Sequence, residues 1–598
     1  MAHALLGRVP DELLPLAALG TIADLVPLVD ENRVIATLGL KKINERQHTG
    51  INALLDVAGL SDREVTAGHV GFALGPRINA SGRLDTAKPA VQLLTSRSYD
   101  EALILAKQLD DINQERQKLV DEITEMAISE VTVNEDEHRY AIVLARPGWN
   151  VGVLGIVASR LVERFYRPAV VLGVDETSGQ AKGSARSIEG FDLYRALSKF
   201  QELLPHFGGH KMAAGMTMAA RDVETLRTRL NVLVSEWLTE DDFVPVAHID
   251  VACSVEEIET EWVEQLSLLE PFGAGNKTPR FHITGGRLQE IRRIGREQSH
   301  LRLSLATGAS KLQAVAFQMG EVAEEIAPGV HLEAVGELEI NEWNGNRSPQ
   351  LIVHDISVPH LQVFDWRGRT ISDEMWQRLT EQKALFVCFE QGNVSRVRRF
   401  LQQYDISVLC LQNRDDVDKA IGDFRHLICI DFPTDDALYY GILQNMTKLE
   451  RVTFLGEVEE AVYMIPKRSH FKRIYALLHR NKMVIDDHTL VERSRLPRET
   501  VSFILDVFTE LGFIERSVSG IKLKANPRKR PLTESSLMQQ RKKRIDVYQR
   551  FYYASARELA DEITKIREGN LSRSGGDQHG FQRQDSHHRK LSSAGSSL

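Results

Sequence analysis

The stretch SYDEALILAKQLDDINQERQKLVDEITEMAISEV, at about 98–130, constrains this chain more than any other. Its apolar residues recur at three- and four-residue spacing, the mark of an amphipathic helix. It separates two regions of different patterning and so reads as a connecting helix. At 598 residues the chain is too long for one core, and roughly three to four domains are expected. Residues 1–95, before the helix, read as helices (DELLPLAALGTIADLVPLV, RVIATLGLKKINE, INALLDVAGL) and end in the glycine- and arginine-rich GPRINASGRLDTA.

After the helix the pattern changes. Within 131–225 the β-branched runs YAIVLA and PAVVLGV flank the helical VLGIVASRLVERF, the strand–helix–strand rhythm of an α/β domain. Across 240–360 the strands are short and separated by turn signals. Asn344-Gly345 lies between two strand-like runs, a strong hairpin signal, and the segment fits an all-β barrel of the oligonucleotide-binding type. Apolar runs at 384–389, 407–411, 426–431 and 451–456 alternate with helical segments. They make 365–460 a C-terminal α/β sheet without a phosphate-binding glycine loop. Residues 465–568 read helix, helix, helix, hairpin, a winged-helix-like order, followed by a basic run and a further helix. From 569 the Ser/Gly/His/Arg-rich sequence reads as a disordered tail. The fold class is therefore multidomain α/β with one all-β barrel.

Composition narrows the environment. Cys253, Cys388, Cys410 and Cys429 are widely spaced with no C-x-x-C pair, which argues against a structural zinc site and a disulfide framework. No apolar stretch approaches the roughly 20 residues that span a bilayer, and MAHALLGRVPDELL lacks a signal-peptide layout. A cytoplasmic protein with no membrane partner is expected. The net charge of −9 means that any nucleic-acid binding comes from local basic patches.

Four segments carry chemistry. In GTIADLVPL, Asp24 is the only carboxylate in an apolar run. It suits a ligand to Mg²⁺ or Mn²⁺, while spacing alone favours a helix-capping Asp. In GPRINASGR, Arg77 and Arg83 offer forked donors matched to phosphate oxygens, and a structural turn with solvated arginines fits the same residues. In GSARS, Ser184 and Arg186 share one face if the segment is a strand, which makes a compact phosphate site with charge-assisted bonds. In FGGH, Gly208 and Gly209 can turn amides toward an anion beside His210, and a glycine-rich turn with an incidental His is the alternative. Farther on, Arg292, Arg293, Arg296, His300 and Arg302 could track a phosphate backbone or form a solvated face. The helical segment 498–511 is acidic and apolar, which favours packing or protein contact over groove entry. The basic run 528–544 suits nonspecific affinity or linker solvation.

The order GTIADLVPL, GPRINASGRL, LDDINQERQ, GWNVGVLGIVASRL, GSARSIEGF, HFGGHKMAAGM resembles the successive motifs of the RecJ family of the DHH superfamily. EPFGAGNKTP and NEWNGNRSPQL resemble that family's oligonucleotide-binding barrel. The resemblance is close over 1–360 and looser over 365–565. It implies a single-stranded-DNA-specific 5′-to-3′ exonuclease of repair and recombination, dependent on Mn²⁺ or Mg²⁺ and releasing mononucleotides. Residues 1–95 would be the C-terminal remnant of a DHH domain, and 131–225 the DHH-associated substrate-binding domain. Asp24 matches the last metal-binding aspartate. Arg77, Arg83, Ser184 and Arg186 match phosphate-gripping positions, and Gly208, Gly209 and His210 match a substrate-binding loop. A single-strand-binding protein or a recombination helicase would be the partner of the C-terminal region.

Two departures are visible. The family's earlier metal motifs lie upstream of Asp24, so the resemblance implies an N-terminally incomplete, catalytically incomplete chain. Asp486-Asp487-His488 and Asp585-Ser586-His587-His588 are not credible replacements. Asn150 stands where the family's Gly-Trp-His motif has histidine, which puts that contact in doubt. Two further readings stay open, a non-catalytic single-stranded nucleic-acid-binding protein and a small-dinucleotide phosphodiesterase. The barrel and C-terminal domains speak against the second.

Overall fold

The computed structural model describes residue 7 and residues 10–381, 384–390, 393–394, 400–404, 406–418, 424–456, 465–480, 485–517, 520–525 and 527–567. The tail expected from 569, with Asp585 to His588, lies outside the described residues. The chain divides into two compact units, Met1–Ile283 with Val335–His354 and Thr284–Ala334 with Asp355–Leu598.

The first unit opens with helices α1 (Leu14–Ala23), α2 (Asp30–Asn44), α3 (Thr49–Val57), α4 (Gly75–Leu84), α5 (Lys88–Thr95) and the long α6 (Tyr99–Val133). The Ser98 side chain accepts from Glu101 N, and Asp100 and Glu101 lie in the first turn of α6, all favourable at a helix N-terminus. Ala102, Ala106 and Leu109 pack into a core with Ile51, Leu54, Leu55 and Leu93. Val120, Ile123, Ala127 and Val131 enter a second core with Leu144, Leu154, Val157, Leu161 and Val171. Truncating one such buried leucine to alanine costs about 2–5 kcal/mol.

GPRINASGRL, for which a turn was one reading, is helix α4. Pro76 stands in its first turn, where a fixed φ is pre-organised for helix. A Cβ on Gly75 would meet Ala23 Cβ and Val70 O at 3.0 Å, so tight packing against α1 overrides the weak helix propensity of the glycines.

A five-stranded sheet follows, ordered β1-β2-β3-β5-β4, from β1 (Ile142–Pro147), β2 (Ala169–Asp175), β3 (Gln180–Arg186), β4 (His206–His210) and β5 (Ala213–Ala219). β1 and β2 are parallel and flank α7 (Leu154–Phe165); the other pairings are antiparallel. One face buries Val170, Leu172, Ala181, Ala185, Ala214, Met216 and Met218 with residues of α8 (Leu193–Leu197) and α9 (Val223–Trp237). The opposite face buries Ile142, Leu144, Ala169 and Val171 with α6 and α7. FGGH, expected as a loop, is edge strand β4. A Cβ on Gly209 would fall 2.2 Å from Ala213 O, so glycine is what permits the close pairing with β5.

The same unit holds β6 (Val251–Ser254) and most of the β10 (His331–Trp343) and β11 (Asn346–Ser357) hairpin. Its turn is Asn344-Gly345, with φ of 51° and 77°, the two positive values a type I′ turn requires.

In the second unit β7 (Arg280–Ile294), β8 (His300–Thr307) and β9 (Ser310–Ala316) form an antiparallel meander. A parallel sheet follows in the order β12-β16-β15-β13-β14, from β12 (Gln362–Asp365), β13 (Ala384–Cys388), β14 (Val408–Cys410), β15 (His426–Cys429) and β16 (Arg451–Phe454). Helices α10 (Arg468–Arg480), α11 (Asp487–Ser494) and α12 (Arg498–Glu510) precede the antiparallel pair β17 (Ile514–Ser517) and β18 (Gly520–Leu523). Two final helices, α13 (Ser536–Tyr553) and α14 (Ala556–Arg567), return to the sheet. Phe551, Leu559 and Ile563 join its core with Val452 and Phe454.

Part of helix α12 is contacted by later segments of its own chain. The Arg541 guanidinium lies 4.1 Å from the Phe503 ring centroid, and Asp506 is paired with Arg516 at 2.7 Å. Glu510 accepts from Ser536 N at 2.7 Å and from the Ser535 and Ser536 hydroxyls, capping α13. No helix among the described residues is long and apolar enough to cross a membrane.

Candidate functional site

The sheet of the first unit brings distant motifs onto one face. Residues directly opposite each other in an antiparallel pair point to the same side, as do alternate residues along a strand. The register therefore makes three rows on the face that α6 and α7 cover over β1 and β2. They are Lys182–Thr217–His206, Ser184–Gly215–Gly208 and Arg186–Ala213–His210. The middle row is glycine after Ser184. Gly208 and Gly215 are exposed, and a Cβ on Gly208 would meet no heavy atom within 4 Å. The result is a flat floor between two polar rows.

The first turn of α7 borders this floor. A Cβ on Gly155 would lie 3.0 Å from Arg186 Nη2 and 3.5 Å from Ser184 Oγ, so guanidinium, hydroxyl and helix start lie together. No side chain caps α7, and the free amides and dipole of a helix N-terminus favour an anion. Arg83, near the end of α4, donates from Nη1 to Gly152 O at 3.4 Å. A Cβ on Gly152 would fall 2.1 Å from Arg83 O, so the chain passes close to α7 only because residue 152 is glycine.

The electrostatics are one-sided. Burial, then the charge of Arg83, holds Arg186 below the usual arginine range. On α6, burial and then Arg83 and Arg160 act on Arg116 in the same direction. Arginine stays protonated regardless, so both side chains carry positive charge here. Arg160 has a carboxylate partner, Asp121 at 2.5 Å.

The other sequence-derived candidates fall differently. Arg77 Nε is paired with Asp110 at 2.9 Å and its Nη1 donates to Ala73 O, so its guanidinium ties α4 to α6. Asp24 is exposed at the C-cap of α1, its backbone N–H donating to Gly20 O at 3.0 Å. Asn150 Oδ1 accepts from Gly152 N at 2.9 Å, so this amide shapes the turn that leads into α7. In the second unit Arg292 stands opposite Arg302 across β7 and β8 and is paired with Glu290. Arg293 is paired with Glu324 at 2.8 Å, and Arg296 is exposed.

Sequence reasoning missed several of these neighbours. Lys182 and Thr217 were accessible through strand alternation, but His206 and Gly215 depend on a register that no local pattern reveals. Phe317, just past β9, is 55% exposed and meets His300 edge-on at 5.4 Å. The outward alternation of Lys311, Gln313 and Val315 would have signalled it.

A catalytic metal needs more than these residues provide. Among the described residues no group of three or more His, Cys, Asp or Glu side chains could hold an ion. Asp24 is a single carboxylate, whereas a two-metal site needs several ligands around ions about 4 Å apart. The described residues do not by themselves fit the metal.

A basic, glycine-floored face on a mixed sheet, in a chain that also carries a β meander and a parallel α/β sheet, defines a multidomain α/β protein. Family models agree domain by domain: a DHHA1 domain at 138–236, a RecJ OB domain at 249–355 and a single-strand DNA-specific exonuclease C-terminal domain at 362–562. The single-stranded-DNA-specific exonuclease RecJ of Bacillus subtilis is 41% identical over 573 residues, covering 95% of this chain and 72% of that protein. The RecJ of Escherichia coli is 35% identical over 358 residues, covering 58% of this chain and 61% of that protein. The chain belongs to the RecJ family. In structure it is similar to Thermus thermophilus RecJ in complex with Mg²⁺, with a TM-score of 0.52 and 24% identity. That match covers 84% of this chain and 74% of that one. A second structure of the Thermus protein is a complex with Mn²⁺.

Proposed function

We propose that this chain holds the 5′ end of single-stranded DNA on the Ser184–Arg186 face, as the substrate-binding portion of a 5′-to-3′ exonuclease. One observation carries the reading. Arg186, Ser184 and Arg83 converge with the uncapped start of α7 beside a glycine floor, and among the described residues Arg186 forms no ion pair with a carboxylate. A phosphate there receives forked donors, a hydroxyl and helix-terminal amides. The backbone that follows lies over Gly215 and Gly208 toward His210, with Lys182 and His206 along the far row. Of the two arginines in α4, Arg83 is the phosphate ligand; Arg77 supports it by fixing α4 on α6. In the second unit, we assign the outer face of β7–β9 to nucleic-acid contact. Arg302 and Arg296 meet phosphates there, Phe317 offers a stacking surface, and Arg292 and Arg293 contribute less because both are ion-paired.

A divalent cation, when bound, supplies an activated water and charge neutralisation at the scissile phosphate. We assign Asp24 as one of its ligands. What the described residues do is bind and orient the strand.

The experiment is binding and degradation of 5′-phosphorylated single-stranded DNA with Mn²⁺, by the chain and by Arg186→Ala. The variant should lose affinity and 5′-end preference; unchanged values for both would end the phosphate assignment. The lack of a three-ligand cluster among the described residues favours a second reading, a non-catalytic single-strand binder. Metal-independent binding without release of mononucleotides would select it.

For 362–567 we infer a protein-contact role, with a single-strand-binding protein or a recombination helicase as the expected partner. Helix α12 of the winged-helix-like segment is contacted by Arg541, Arg516 and the cap of α13, which favours packing over groove entry.

A further inference from the structure

We infer that the winged-helix-like segment binds the phosphate backbone of duplex DNA through a strip on β18 and the linker after it, formed by Lys522, Lys524, Arg528, Lys529 and Arg530. This goes beyond the protein-contact reading of 362–567 by giving one surface of that region to nucleic acid.

Positive charge is concentrated in this segment. Residues 465–544 hold 19 Lys and Arg against eight Asp and Glu, a net of +11 within a chain whose net is −9. The fold uses part of this charge internally. Arg516 is paired with Asp506 at 2.7 Å, Arg541 lies on the Phe503 ring and Arg544 is paired with Glu390. The strip is arranged differently. Ile521 and Leu523 of β18 pack on the helical core, so strand alternation turns Lys522 outward. Lys524 follows on the same side, its N–H extending the ladder to Phe513 O at 3.0 Å. Arg528, Lys529 and Arg530 lie between Pro527 and Pro531, which restrict the ends of the linker to extended backbone. All five side chains are exposed, and among the described residues none forms an ion pair. Glu515, directly opposite Lys522 in the β17–β18 pair, is no exception.

The chemistry of the strip selects its partner. Protein interfaces centre on apolar and aromatic anchors, and no large apolar side chain is exposed among the described residues of 466–544. Binders of unpaired strands add aromatic platforms for the bases, and the segment exposes none of these either. A row of cations alone meets phosphates without reading sequence. A duplex presents phosphates most densely, one charge per roughly 1.7 Å of its axis. Helix α12 need not enter a groove for such a contact.

The test is fluorescence anisotropy of the full chain in EDTA, across a range of salt, with a blunt duplex carrying 5′-hydroxyl ends so that no terminal phosphate is present. With one phosphate per cation, the parent should show a slope of roughly −4.5 in log K against log salt. Lys522→Ala with Lys524→Ala should lessen the slope by roughly 1.8, and Arg528→Ala with Lys529→Ala and Arg530→Ala by roughly 2.7. Each set should lower duplex affinity roughly tenfold or more at low salt with the melting temperature kept, because the five side chains are exposed. Arg186→Ala, in the first unit, should leave duplex affinity in place. Unchanged affinity and slope in both strip variants would make the strip a solvated face and overturn the inference. Loss of duplex binding in Arg186→Ala alone would overturn it as well, by moving the contact to the first unit. If a polyglutamate peptide binds the parent as tightly as the duplex and is lost in the same variants, the strip is a surface for an acidic protein and the assignment to DNA falls.

Discussion

Two adjacent glycines in β4 have opposite reasons to be glycine. Gly209, at φ +157°, has no room for a side chain because Ala213 O and Ala214 Cα would lie 2.2 and 2.6 Å from a Cβ. Gly208 has open space above it and is small for the sake of what lies on the face. Gly209→Ala should therefore destabilise the chain by roughly 1–3 kcal/mol in urea unfolding. Gly208→Val should leave the unfolding midpoint in place and weaken binding of 5′-phosphorylated single strands. The reverse pattern would place the floor on the wrong residue. The sequence marked both glycines and could not tell them apart, because the distinction depends on the β4–β5 pairing. Ser184 and Arg186 were legible from alternation within one strand, whereas the place of Arg83 beside them was not, since it comes from helix α4 and reaches Gly152.

At the level of elements, the parallel sheet of the second unit contains a histidine whose protonation opposes folding. His426 opens β15, is almost fully buried and shares a hydrogen bond with Thr453 Oγ1 at 2.7 Å. Burial, then Arg451, pushes it down to about 3. In the unfolded chain it titrates near 6.5. Below that value the unfolded state binds a proton that the folded state refuses, so the contribution is fully present above pH 6.5 and is lost as pH falls from 6.5 toward 3. Between pH 7 and pH 5 the loss is about 2 kcal/mol. Denaturant unfolding at the two values should show it, and His426→Gln should flatten this dependence; an unchanged slope would refute it. Helix order in this unit was readable from periodicity. The contacts on α12 were not, because they depend on Arg541 and Ser535, which come after the β17–β18 pair.

Across the whole molecule, a net charge of −9 conceals a local cationic face. Binding of single strands should therefore weaken with salt although the protein is acidic. Two arginine–phosphate contacts, at Arg83 and Arg186, correspond to a slope of roughly −1.4 in log K against log salt. EDTA should leave affinity unchanged, because none of these contacts passes through a metal. A flat salt response in an anisotropy titration, or loss of binding in EDTA, would count against the assigned face. Family membership was legible in the order of motifs along the chain. Apart from GSARS, the segments became sites only where the sheet register and the start of α7 joined them.

Helix α6 gives its first turns to one core and its last turns to another, with Asn113 and Arg116 in between. The two hydrophobic clusters thus share a single rod and cannot loosen independently without breaking hydrogen bonds in its middle. The helical segment and the first sheet are thereby mechanically coupled, and Arg116 lies at the seam, held by Asn113, where fraying would have to travel inward from an end to reach it.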